Sequence, residues 1–122
     1  MTKRILVVED QEDLRGVLRD LFTSSGYTVI EAVDGATGVA SAKSERPDMI
    51  LMDIQMPVID GYEATRRIKA DAELSAIPII AVTSYALAGD EAKTREAGCD
   101  GYVAKPFSPR QLLAKVRELL PE

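Results

Sequence analysis

Short apolar runs and amphipathic segments alternate five times along the chain, and few folds accept that rhythm. "ILVVED" (5–10) reads as a strand. "DLRGVLRDLF" (13–22) places apolar residues at 14, 17, 18, 21 and 22, which is helical spacing, and Gly26 stands where such a helix would stop. "TVIEA" (28–32) is the second strand, with a weaker helix over 36–44. "MILMD" (49–53) is the third strand, and Asp60 and Glu63 form a capping-box arrangement opening a helix that runs to about residue 70. "IPIIAVTS" (77–84) is the fourth strand, followed by a helix over 87–97 that ends before Gly98. "GYVAK" (101–105) is the fifth strand, and Ser108, Pro109 and Gln111 supply an N-cap, an N1 proline and an N3 partner for the last helix.

Strict strand–helix alternation predicts a parallel sheet with helices on both faces. The expected fold class is α/β: a doubly wound, flavodoxin-like sheet of five strands in the order 2-1-3-4-5, with five helices. A length of 122 residues, 46% of them apolar, suits one domain spanning 1–122, with no segment left to serve as an output domain. The net charge of -5 argues against direct nucleic-acid binding, because phosphate backbones attract Lys and Arg. No apolar run approaches membrane-spanning length, and the single Cys99 excludes an internal disulfide, so a cytoplasmic protein is expected. The chain has no His, which removes His-ligated zinc, Ser-His-Asp catalysis and any phosphohistidine of its own.

In open parallel sheets ligands bind beyond the carboxyl ends of the strands, at the point where strand order reverses. Polar residues collect there: Glu9 and Asp10 after strand one, Asp53 after strand three, Thr83 and Ser84 after strand four, Lys105 after strand five. The expected order makes strands one and three neighbours, so Glu9, Asp10 and Asp53 should share one crevice, with Thr83 and Lys105 on its far side. Three carboxylates together repel unless a cation intervenes, and an all-oxygen donor set favours Mg2+. A lysine and a hydroxyl facing that cation can hold phosphoryl oxygens, and a carboxylate can itself become an aspartyl phosphate. Taken singly, each residue has a plainer use. Asp10 and Asp60 would be helix caps, Lys105 a solvated strand end, Thr83 a strand former, Tyr102 and Phe107 packing, Cys99 a small buried hydrophobe. The combination points to phosphoryl transfer onto an aspartate, where position and charge neutralisation do most of the work.

Four stretches carry a resemblance to the receiver domains of bacterial response regulators: "VVEDQ" (7–11), "LMDIQMPVIDGYE" (51–63), "AVTSYA" (81–86) and "GYVAKPF" (101–107). The likeness covers the whole chain, and 77–107 also resembles stand-alone cell-cycle regulators and receivers of hybrid kinases within that family. It implies a CheY-like fold and Asp53 as phosphoacceptor. Mg2+ would be held by the Asp10 and Asp53 side chains and the Gln55 backbone carbonyl, with Glu9 acting through water. Thr83 would hydrogen-bond the phosphoryl group and Lys105 pair with it; the Lys105–Pro106 bond would be cis. Thr83 and Tyr102 would form the switch, and Gln55 and Tyr85 would flank the site and tune phosphate lifetime. A sensor histidine kinase or histidine phosphotransfer protein would donate the phosphoryl group, docking near Leu14, Pro106 and Phe107, and a downstream protein would read the result. Glu9 stands where the family more often has Asp.

On this reading the chain is a phosphoacceptor signalling protein rather than an enzyme. Two other classes compete. A haloacid-dehalogenase-type phosphatase also uses an Asp nucleophile with magnesium, a hydroxyl and a lysine, but wants a second acid two residues on, where Gln55 stands. A flavodoxin-like FMN carrier wants a phosphate loop after strand one, where two acids stand instead.

Overall fold

Five strands run parallel in the order β2-β1-β3-β4-β5, the order expected from the alternation. The computed structural model describes residues 2–84 and 90–120. Along the chain these hold β1 (Arg4–Val8), α1 (Glu12–Ser24), β2 (Thr28–Ala32), α2 (Gly35–Glu45), β3 (Met49–Asp53), α3 (Gly61–Ala70), β4 (Ile79–Thr83), α4 (Asp90–Ala97), β5 (Gly101–Ala104) and α5 (Pro109–Leu119). The expected start of α4 at residue 87, and Tyr85, lie outside the described residues.

Every residue of β3 and β4 is buried, which is why both read as unbroken apolar runs rather than as alternating ones. The period of two still sorts them between faces. Leu6, Val8, Ile50, Met52, Ile79 and Ala81 face a core closed by α2 and α3. Ile5, Val7, Met49, Leu51, Ile80 and Val82 face a second core closed by Leu18 and Phe22 of α1 and Leu112 and Val116 of α5. Helix α4 lies beside α3. Among the described residues it buries only Thr94 and Ala97, so little apolar area ties it down.

Local chemistry sets the element ends. Gly26 after α1 has φ 95°, a conformation that suits glycine. Ser108 and Gln111 form the expected reciprocal capping box, with Pro109 in the first turn of α5. At α3 only half of the expected box is seen. The Asp60 side chain accepts from the Glu63 N–H, but the Glu63 carboxylate turns to Arg66 and Arg67, whose charges outbid a neutral backbone donor. Strand β4 starts at Ile79 rather than at residue 77. Pro78 has no N–H to give a ladder, and the Ile77 N–H closes a turn on the Leu74 carbonyl. Strands β1 and β5 stop one or two residues before the sequence pattern suggested, leaving Glu9, Asp10 and Lys105 on the loops just past them.

Candidate functional site

Parallel pairing brings the carboxyl ends of β1, β3, β4 and β5 to one edge. Val8 pairs with Met52, Asp53 with Val82 and Thr83 with Ala104, so the residues that follow these pairs meet. Asp53 is the last residue of the central strand and is 3% exposed. Its carboxyl-terminal neighbours turn sharply: the Gly61 N–H returns to the Ile54 carbonyl, which brings the start of α3 against the backbone of Asp53. A Cβ at Gly61 would collide with the Asp53 carbonyl oxygen and sit 2.7 Å from the Ile54 Cα, so this closure demands glycine.

Glu9, Asp10 and Asp53 each offer a carboxylate oxygen, and the three oxygens lie within 4.8 Å of one another. Glu9 is 2% exposed, whereas Asp10 faces solvent. Lys105 does not stand across the crevice as the strand-end positions suggested. Its ammonium reaches into the acid cluster, 3.3 Å from Asp53 Oδ1 and 3.4 Å from Glu9 Oε1. The reason is the length of the lysine stem, which carries the charge well beyond the end of β5.

Burial pushes the Glu9 carboxyl up to about 7, helped by the negative charge of Asp53 and opposed by the Gln11 backbone N–H and by Lys105. Burial likewise raises Asp53, against the pull of Lys105 and of its hydrogen bond with Glu9. One lysine is thus too little positive charge for the pair, and a divalent cation at the exposed Asp10 side would complete the balance. The donor set fits magnesium: three carboxylates, no nitrogen or sulfur, and one open, solvent-facing side for retained waters. The Gln55 carbonyl belongs to the same loop, directly after Ile54.

Thr83 is fully buried at the end of β4. Its Oγ1 accepts a 2.7 Å hydrogen bond from Gln55 Nε2, while the adjacent Ser84 N–H donates to Gln55 Oε1 at 2.9 Å. The sequence pointed to the Gln55 backbone; that its side chain spans to β4 depends on a partner 29 positions away and was not legible. Arg15 is a second residue the sequence did not single out. Its guanidinium donates to the Glu9 carbonyl oxygen at 2.9 Å and pairs with Glu31, fixing the loop that carries Glu9 and Asp10. The i+1 spacing of Arg15 after Leu14, on the flank of the apolar stripe, was its only trace. The Lys105–Pro106 peptide is cis, as expected.

Beside the acids runs an open groove of ≈ 690 Å³ lined by Leu14, Val17 and Leu21 of α1 and by Ser84, Pro106 and Phe107. Leu14 and Phe107 are half-buried against the α1–α5 core, and Val17 is 58% exposed. The expected docking residues Leu14, Pro106 and Phe107 therefore share one surface. Tyr102 lies on the other side of the sheet, half-buried, where it lines a void of ≈ 10 Å³ with Thr94, Arg95 and Cys99.

Comparison with known proteins gives a consistent picture. The response regulator receiver domain matches residues 5–117. The polar-differentiation response regulator DivK of Brucella ovis is 42% identical over 120 residues, covering 98% of each chain, and DivK of Brucella anthropi is similar to the same extent. Among solved structures, the chain is similar to the receiver domain of the sensor histidine kinase PA1611 from Pseudomonas aeruginosa, whose structure holds a magnesium ion coordinated in the active-site cleft. The TM-score is 0.92, with 39% identity over the whole of both chains. It is also similar to the chemotaxis protein CheY4 of Vibrio cholerae, with a TM-score of 0.93 and 28% identity over 98% of this chain and 100% of that one.

Proposed function

The chain belongs to the response regulator receiver domain family, and we propose that it accepts a phosphoryl group on Asp53 from a partner's phosphohistidine and signals by changing its α4–β5–α5 surface. The observation that carries this reading is the placement of Asp53. It is the buried acid at the end of the central strand, flanked by two further carboxylates and by Lys105. With no His among these 122 residues, the phosphohistidine would lie outside them, on a sensor histidine kinase or a histidine phosphotransfer protein.

Asp10, Asp53 and the Gln55 carbonyl would hold Mg2+, with Glu9 at one remove; when bound, the cation neutralises charge on the acids and on the incoming phosphoryl oxygens. The reactive Asp53 oxygen attacks phosphorus in line with the histidine nitrogen. The P–O bond forms as the P–N bond breaks, and the electron pair leaves on the imidazole. Lys105, already 3.3 Å from Asp53, pairs with the new phosphoryl oxygens. Thr83 donates its hydroxyl proton to another of them. The groove along Leu14, Val17 and Phe107 would seat the phosphohistidine partner through apolar contacts next to the acceptor.

The output would leave through α4 and Tyr102. Thr83 ends the strand that precedes α4, and α4 is only lightly anchored by Thr94 and Ala97. A pull on Thr83 can therefore shift α4 and let Tyr102 turn inward, at a cost of a few kcal/mol between two existing states. A downstream protein in the cytoplasm would read that face. The DivK relatives are matched over 98% of their own length. The phosphatase alternative lacks its acid, because Gln55 occupies that position and its carboxamide is engaged with Thr83 and Ser84.

Incubation with a small phosphodonor and Mg2+, followed by intact-mass measurement, tests the reading. Wild type should gain one phosphoryl mass and Asp53→Asn none. A mutant that gains it at the wild-type rate would overturn the assignment.

A further inference from the structure

We propose that the Gln55 side chain is an autoinhibitory clasp: by holding Thr83 and Ser84 to the β3–α3 loop, it sets how readily the molecule leaves its unphosphorylated arrangement. This rests on Asp53 as phosphoacceptor and deepens that reading. Three observations carry it. First, the carboxamide makes two bonds to consecutive residues at the end of β4, 2.7 Å to Thr83 Oγ1 and 2.9 Å from the Ser84 N–H. Second, the orientation is unambiguous. A backbone N–H can only donate, so the carbonyl oxygen of the carboxamide must face Ser84 and its NH2 must face Thr83. The Thr83 oxygen is thereby an acceptor, and its position is tied to a group outside its own strand. Third, Gln55 cannot follow a moving β4 freely. Its loop is closed by the Met56 N–H and the Gly61 N–H, both on the Ile54 carbonyl, and the Gln55 N–H points toward Asp53 Oδ1 at 3.4 Å.

If the Thr83 hydroxyl is to approach phosphoryl oxygens on Asp53, the 2.7 Å bond must lengthen, and a backbone shift at β4 would stretch the Ser84 bond as well. Both bonds belong to the resting arrangement and are weakened in the switched one. Gln55 thus acts as a positioning residue rather than a catalytic one. It would keep the resting state populated when no phosphoryl group is present and would make the switched state depend on one. Two hydrogen bonds of ordinary strength, partly replaced by water on release, correspond to about a 5- to 30-fold bias.

The test uses Gln55→Leu, which keeps the backbone carbonyl and most of the side-chain volume but has neither polar atom. Magnesium alone, and then the phosphoryl mimic beryllofluoride with magnesium, are titrated into each protein while backbone amide shifts are followed. The clasp predicts that, at saturating magnesium, the mimic binds about 5- to 30-fold tighter in Gln55→Leu than in wild type. It also predicts that the unliganded variant shows amide shifts at Ser84, Thr94 and Tyr102 displaced along the line from free to mimic-bound wild type. Mimic affinity at or below wild type, or magnesium and mimic affinities falling together, would show that Gln55 serves the metal site and not a clasp. Wild type that takes no mimic would defeat the phosphoacceptor reading and the clasp with it.

Discussion

The Lys105 ammonium stands 3.3 Å from Asp53 Oδ1, across 52 positions of sequence and across the whole of β4. It is a built-in counter-ion, present before any metal or phosphoryl group arrives. On the proposed function its two roles would pull in opposite directions. In the resting protein Lys105 would compete with a cation for the acids; in a phosphorylated one it would support the new negative charge.

Replacing Lys105 with Met should therefore tighten magnesium binding while slowing phosphorylation and weakening the switch. Removal of a unit charge at this distance in a half-buried site is expected to change the metal constant by on the order of tenfold or more. Fluorescence or calorimetric titration of magnesium, run alongside phosphodonor kinetics, separates the two effects. Both constants falling together would mean that Lys105 merely shapes the pocket.

The acid pair makes stability depend on pH in an unusual direction. The Glu9 carboxyl is held up to about 7 from 4.5, and Asp53 is also raised, chiefly by burial. The folded protein thus keeps a proton that the unfolded chain has already lost between those pH values. Unfolding releases it, so stability falls as pH rises from about 4.5 to about 7 and levels off above. The expected loss is a few kcal/mol in chelator-treated protein. Urea titrations across that range should show the slope, Glu9→Gln should flatten it, and magnesium should restore stability more at the alkaline end. A chelated wild type that grows more stable toward pH 7 would contradict the assignment.

Val17 offers the cleanest probe of docking, because it lines the groove yet is 58% exposed and contributes little to the core. Val17→Asp should leave the unfolding free energy within about 0.5 kcal/mol of wild type. Transfer from a phosphohistidine partner should slow tenfold or so, as expected for loss of one apolar anchor. Phosphorylation by a small donor should be unaffected. Equal losses with both donors would place the effect at Asp53 instead.

Gly61→Ala asks how tightly the Asp53 backbone is fixed. The added methyl group would meet the Asp53 carbonyl oxygen and the Ile54 Cα, backbone atoms that cannot swing aside. Destabilisation of about 1–3 kcal/mol or more is expected, with slower phosphorylation in the fraction that stays folded. Denaturant unfolding together with donor kinetics measures both, and wild-type stability would mean that the loop yields more easily than this packing suggests.

What the sequence disclosed follows from how each feature is encoded. Strand β3 was legible to the residue because five consecutive buried positions leave a run that ends on an acid, and parallel order then brought Asp10, Asp53, Thr83 and Lys105 to one edge. Patterns of period and position are written locally. Side-chain reach is not: the Lys105 stem bending into the acids and the Gln55 carboxamide crossing to Ser84 depend on partners far along the chain. The stripe of α1 was seen but not its division. Leu18 and Phe22 are buried under the sheet and Val17 lies open, a difference set by where α5 and the Pro106–Phe107 loop come to rest. Glu63 misled because its arginine partners, three and four residues on, compete with the cap.

The division of the strands between two faces bears on traffic through the molecule. Val17 and Phe107 belong to the α1–α5 side, whereas Tyr102 opens toward Thr94 of α4 on the other. A donor in the groove and a target held mainly by α4 and Tyr102 would approach from different faces of the sheet and meet only at α5. Thermodynamic reciprocity then runs both ways: whatever a phosphoryl group does to the affinity of the target, the bound target must do to the affinity for the phosphoryl group. A target on α4 would in that case also set how fully the site is occupied at equilibrium.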